Sequence, residues 1–244
     1  MSAFLQDLTW LEAERVLRSD AVVVLPIGAA AKEHGPHLRL DNDLRLAEYW
    51  ARSLAERADV VVAPTLSYHF YPAFVEYPGS TTLRFATARD LTIDVVRSLA
   101  RHGPRRFYAL NTGISTVRPL EAAREELERD GILFRYTDLV GALGPIESEI
   151  SEQAGGTHAD EIETSLMLVI APDRVDMSKS VKDYAPDRGA GLTRDPNGEG
   201  TYSPTGTWGD PTLASREKGE RVIAAFVDAI VADVEALRAA TTGS

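Results

Sequence analysis

Apolar positions along this 244-residue chain fall into short continuous runs separated by stretches with helical spacing, a pattern that predicts strands alternating with helices. The runs at 21–26, 60–63, 107–110 and 133–138 read as strands of a parallel sheet, because a strand covered on both faces needs no polar alternation. Between them, Leu46, Tyr49, Trp50 and Leu54 share one face of a helix over 44–57. Further helices are expected over 6–18, where Thr9 to Glu12 has capping-box spacing, and over 90–102, opened by Thr87 or Asp90 and stopped by Gly103-Pro104. A charged helix follows over 120–130, and a closing helix over 215–238 buries Val222, Ala225, Phe226, Ile230 and Val234. The first strand, loop, helix and strand require a right-handed crossover. The predicted fold class is α/β, a single domain over 1–244 with a mainly parallel sheet flanked by helices. A Pro/Gly-rich segment at about 172–213 breaks the pattern, and irregular stretches of that length usually serve a site or an oligomer contact.

Composition narrows the chemistry. With 44% hydrophobic and 26% charged residues the chain is ordinary for a globular protein. No apolar run approaches the ~18 residues of a membrane span, and the start lacks a secretory pattern, so no membrane partner and a cytoplasmic location are expected. A net charge of -11 without a basic stripe argues against nucleic acid. Cysteine is absent, which removes disulfides, thiolate nucleophiles and Cys-type metal sites. Any metal must be held by His, Asp or Glu.

Two polar centres interrupt the pattern. The first follows the strand at 21–26 and contains Glu33, His34, His37, Asp41 and Asp43, the imidazole and carboxylate donors of a catalytic Zn, Mn or Fe site. Its place after a strand is where open α/β sheets put their ligands. The second is Gly155-Gly156-Thr157-His158-Ala159-Asp160-Glu161-Ile162-Glu163, with one histidine beside three acids. If a helix starts near Thr157, the acids lie in its first turn, where anionic groups are favoured. The aromatic loop at 66–80 has the composition of a pocket wall, with His69 either a wall, a late ligand or a packed core residue. The loop from Asn111 to Thr116 either orients a substrate through groups such as Ser115 or is a plain turn.

These residues resemble the creatininase (creatinine amidohydrolase) family over nearly the whole chain. The carriers are Leu25-Pro26-Ile27-Gly28, Glu33-His34-Gly35-Pro36-His37-Leu38 with Asp43, Tyr77-Pro78-Gly79-Ser80-Thr81, Gly155-Gly156-Thr157-His158-Ala159 with Glu161 and Glu163, and Gly209-Asp210-Pro211-Thr212. The resemblance implies hydrolysis of amide-type C–N bonds in a small-molecule substrate, a metal site at the strand C-termini and a homo-oligomer, commonly a hexamer. It assigns His34 as a metal ligand, Asp43 as a bridging aspartate, His158 as a proton donor or acceptor, Glu163 as the acid beyond it and Ser80 as a substrate contact.

Departures from the family pattern shape the expectation. The family spaces its first ligands as Glu-x-His; here an extra alanine precedes Lys32-Glu33-His34, so the glutamate ligand is Glu33 on a shifted loop or is absent. Gly113 stands where the family's Asn-Gly-His-Gly-Gly-Asn carries a histidine, and Ala154 where creatininase has a tryptophan flap. The expected site is therefore one divalent ion (Zn, Mn or Fe) on Glu33, His34, Asp43 and Glu163. His158, Glu161 and Glu163 are the expected catalytic groups, and Ser80, Gly155, Gly156, His69 and Ser115 the substrate-binding ones. The expected activity is metal-dependent hydrolysis of a cyclic or small amide other than creatinine. The alternatives are hydrolysis or elimination on a sugar-like or keto substrate, and a metal-free ligand-binding protein.

Overall fold

Strand β2 (Val22–Ile27) is buried along its entire length and lies at the centre of a five-stranded parallel sheet. The structure, a computed structural model, describes residues 2–185, 189 and 191–241. With β1 (Ala3–Phe4), β3 (Val61–Val62), β4 (Arg106–Asn111) and β5 (Leu133–Tyr136), the strand order is β1-β3-β2-β4-β5. Val22 to Ile27 pair in register with Arg106 to Asn111, so both strands end level.

Because strand side chains alternate, the sheet buries two separate cores. Val22, Val24, Tyr108 and Leu110 pack on one side against helices α2 (Asn42–Arg57) and α7 (Arg216–Ala239). Val23, Leu25, Ile27, Phe107 and Ala109 pack on the other against α3 (Phe85–Ala100) and α4 (Val117–Arg129). Helix α1 (Trp10–Val16) opens with the expected capping box between Thr9 and Glu12.

Three segments depart from the sequence reading. Helix α3 begins at Phe85 after Arg84, ahead of both proposed caps, and Arg84 makes no side-chain cap. A helix α5 (Leu139–Ile150) forms where Gly141, Gly144 and Pro145 obscured any helical pattern; Asp138 caps it by accepting from the Gly141 N–H. Helix α6 (Glu161–Ile170) starts after Asp160 rather than near Thr157. Of the irregular segment, residues 186–188 and 190 lie outside the described residues. The rest holds the two-residue pair β6 (Leu192–Thr193) and β7 (Thr201–Tyr202) and short 3-10 turns, and single bridges tie Trp208 to His158 and Gly209 to Asp183. Among the described residues no helix is long and apolar enough to cross a membrane.

Candidate active site

The loop that leaves β2 is pinned by backbone hydrogen bonds at both ends. Ala30 N–H donates to Ser67 O (3.1 Å), Lys32 N–H to Leu40 O (3.0 Å) and Leu44 N–H to Ala29 O (3.1 Å). These bonds fold residues 28–43 back over the sheet's C-terminal edge and set three side chains. His34 Nδ1 faces the Lys32 carbonyl at 3.0 Å, which leaves Nε2 turned to Asp43 Oδ1 (2.9 Å) and Glu163 Oε1 (4.0 Å). The other Asp43 oxygen is 2.7 Å from Lys32 Nζ. Asp43 is fully buried and Lys32 only 4% exposed.

His158 comes from the opposite side. It sits in extended backbone just before α6, exchanging backbone hydrogen bonds with Trp208 (3.2 and 2.8 Å). Its Nε2 lies 2.7 Å from Glu33 Oε1 and 3.1 Å from Glu33 O, and its Nδ1 lies 3.7 Å from Glu163 Oε2. Ala159 adopts φ +48°, a left-handed conformation that is uncommon for alanine and aims its N–H at Glu163 Oε2 (2.5 Å). Asp160 caps α6 by accepting from Ile162 and Glu163 N–H, which presents Glu163 on the first turn. The result is a cluster of His34, His158 and Glu163 whose ligand atoms all lie within 4.8 Å of one another. Two imidazoles and one carboxylate are a donor set that fits a catalytic Zn or Mn ion with open positions.

Electrostatics follow from burial and pairing. Burial opposes a charge on His158, but Glu33, with Glu163 behind it, outweighs that and raises its pKa above 6.5. Glu33 shows the reciprocal shift: burial pushes its pKa up, and His158 with the Gly35 N–H brings it below the usual value. Asp43 is driven far down, because Lys32 and His34 overcome its burial. Burial lowers His37 to about 4, with Nε2 held at 2.8 Å by Thr164 Oγ1. Asp160 rises to about 7 and Glu147 also rises, each through burial and then the charge of Glu163.

Several expected site residues are placed elsewhere. Glu33, expected to be a ligand, turns its carboxylate to His158 and orients that ring instead. Asp43 borders the cluster, with Oδ2 2.7 Å from Lys32 Nζ and Oδ1 2.9 Å from His34 Nε2. Glu161, expected to be catalytic, is fully buried away from the cavity, accepting from Ser151, Glu152 N–H and Gln153 N–H and paired with Lys218 (2.5 Å). Its orientation follows from the later helix start, which turns it to the N-terminal approach of α6. His69, expected on the pocket wall, is packed inside at 3.1 Å from Thr92 Oγ1. Ser80 does not face the cavity either; its Oγ accepts from Glu33 N–H (2.9 Å). Asp41 lies outside the cluster, bound to Arg45 and Arg174.

Ser115, Gly155 and Gly156 do line a cavity of about 750 Å³ that opens above the cluster, together with Lys32, Phe74, Glu147, His158 and Glu163. Ser115 Oγ donates to Phe70 O (3.0 Å). Trp50, Leu143, Leu166 and Phe226 form an apolar wall. The sequence reading missed Lys32, Phe74 and Glu147. Lys32 was detectable by counting two residues back from His34; Glu147 was not, because its helix was unreadable.

Comparison with known proteins gives a consistent picture. A family model described as creatinine amidohydrolase matches residues 6–234. The chain is 33% identical to a creatinine amidohydrolase of Pseudomonas putida, over 94% of this chain and 95% of that protein. It is 30% identical to a mycofactocin precursor peptide peptidase of Mycolicibacterium smegmatis, over 85% of this chain and 81% of that protein. A solved creatininase variant of the Zn-Zn type superimposes with a TM-score of 0.80, at 29% identity, covering 98% of this chain and all of that one.

Proposed function

This chain belongs to the creatininase family, and from that premise we propose that it hydrolyses the C–N bond of a small amide with one divalent ion held by His34 Nε2, His158 Nδ1 and Glu163. The observation that carries the reading is the approach of those three donors to within 4.8 Å, with His158 and Glu163 lining the cavity above them. An ion there supplies a Lewis acid that polarises a carbonyl and makes water acidic enough to act as a nucleophile near neutral pH.

The chain's own residues do the rest. Glu33 fixes the His158 ring, so that Nε2 faces the carboxylate and Nδ1 is the nitrogen offered to the cluster, the usual carboxylate–histidine arrangement at metal sites. The Ala159 N–H restrains one Glu163 oxygen. Glu147, half-buried on the cavity wall, holds its proton to higher pH than a solvated glutamate and is suited to deliver it to the leaving nitrogen. The amide carbon gains the water oxygen and the C–N bond breaks; the nitrogen departs with the Glu147 proton, and the proton lost by the water restores Glu147. The apolar wall of Trp50, Leu143 and Phe226 suits a substrate with a compact hydrophobic body, and the cavity volume is that of a small-molecule site. Ala154 at the rim provides no aromatic cover, which favours a substrate other than creatinine.

The test pairs elemental analysis with an amide panel of cyclic amides, N-acyl amines and short peptides, read by released amine or ammonia. The expected result is about one Zn or Mn per chain and turnover of a small amide, both lost together in His34→Ala. Amine release that persists in metal-free protein overturns the mechanism. Glu147→Gln is expected to keep the ion and lose about 10²- to 10⁴-fold in kcat.

A further inference from the structure

We infer that Lys32 is a resident cation: its ammonium occupies the position beside Asp43 that a second metal ion would need, so the centre holds one ion at most. Asp43 is fully buried and cannot stand there uncompensated, since an unpaired charge in the interior is costly. Its Oδ2 lies 2.7 Å from Lys32 Nζ, the charge that compensates it, and its Oδ1 lies 2.9 Å from His34 Nε2, the nitrogen offered to the first ion. Lys32 is itself held in place, because its backbone N–H donates to Leu40 O and its carbonyl accepts from His34 Nδ1. With the backbone so fixed, an ammonium that swung out to solvent would leave the buried Asp43 carboxylate without its cation.

The surroundings favour an ammonium and offer little to a metal. Lys32 Nζ lies 4.6 Å above the Phe74 ring centroid and 5.9 Å from that of Tyr71, aromatic faces that attract a cation without coordinating it. Just past the end of β4, Gly113 offers no side chain as a ligand, and Asn111 Oδ1 already accepts from the Gly113 N–H (3.1 Å). The Glu-x-His spacing expected from the family resemblance puts Lys32, with the opposite charge, two residues before His34. One carboxylate already neutralised by an ammonium is a poor second metal site.

The inference shares the proposed function's site but does not depend on its first ion. The experiment counts Zn and Mn per folded chain by native mass spectrometry in wild type and in Lys32→Glu, which replaces the ammonium with a carboxylate donor. The expected result is one ion in wild type and one more in the variant, with a larger metal-dependent rise in Tm for the variant. Two ions in wild type, or equal counts in the two proteins, overturn the resident-cation assignment while leaving metal-dependent hydrolysis standing. No ion in wild type and one in Lys32→Glu would do the reverse. Should the variant fold only with metal, the count is taken on protein refolded with Zn. The wild-type count still decides: two ions overturn the inference, and one ion that leaves the protected Lys32 ammonium resonance in place supports it.

Discussion

At the scale of single residues, Glu33 decides what His158 can do. In the ion-free protein the raised His158 pKa means that a proton must leave before Nδ1 can accept an ion, so affinity for Zn rises with pH through that raised value and then levels off. Glu33→Gln removes the largest raising interaction. The rise is expected to move to lower pH, and the plateau affinity to fall by about 10- to 100-fold for want of the orienting carboxylate. Calorimetric titrations with Zn from pH 5.5 to 9 read both effects. The same pair predicts a stability profile. The stability His158 gains from its raised pKa is fully present below 6.5 and is lost as pH rises through the folded value. The stability Glu33 gains from its lowered pKa is present above 4.5 and is lost as pH falls through its folded value. The pair therefore helps most between about pH 4.5 and 6.5. Without metal, the Tm difference between wild type and Glu33→Gln should be largest in that window and shrink on either side.

At the scale of elements, the site is built by segments that touch only after folding. Gly206, in the irregular segment, has φ +79°, and a Cβ there would lie 2.0 Å from Glu33 Oε2. Gly206→Ala is thus expected to displace Glu33 and to mimic Glu33→Gln in the zinc titration, with the added cost of a strained backbone. Helix α7 couples the core to the cavity: the Phe226 ring is 4.7 Å from that of Trp50, and both face the cavity. Phe226→Ala should cost about 3–5 kcal/mol by denaturant unfolding, the usual effect of emptying a large buried aromatic. The closing helix was legible, because its apolar residues keep a helical period over 24 residues. Helix α5 was not, because Gly141, Gly144 and Pro145 carry turn signals that packing against α7 and the Asp138 cap override.

At the scale of the whole molecule, the ion is expected to act as a link between the N-terminal loop and α6. His34 and Glu163 are 129 residues apart in sequence and belong to opposite sides of the cavity. An ion bound by the folded chain alone adds about 2.7 kcal/mol when present at a hundred times its Kd. Zn or Mn should therefore raise Tm in wild type, EDTA should reverse the rise, and His34→Ala should abolish it. An unchanged Tm across this series would argue that the three donors do not hold an ion together.

The sequence by itself determined the α/β layering, the parallel strands and the two polar centres, because those rest on local periodicity and on residue chemistry that any neighbourhood preserves. Only the tertiary structure decided the roles within each centre. Glu33, Asp43 and Glu161 are all carboxylates beside histidines in sequence, yet one orients His158, one is paired with Lys32, and one holds the Glu152 and Gln153 N–H groups and Lys218. Side-chain direction fixes that division. It depends on where α6 begins, how the loop at 28–43 is pinned and which distant residue comes within 3 Å, and none of these is encoded by spacing along the chain.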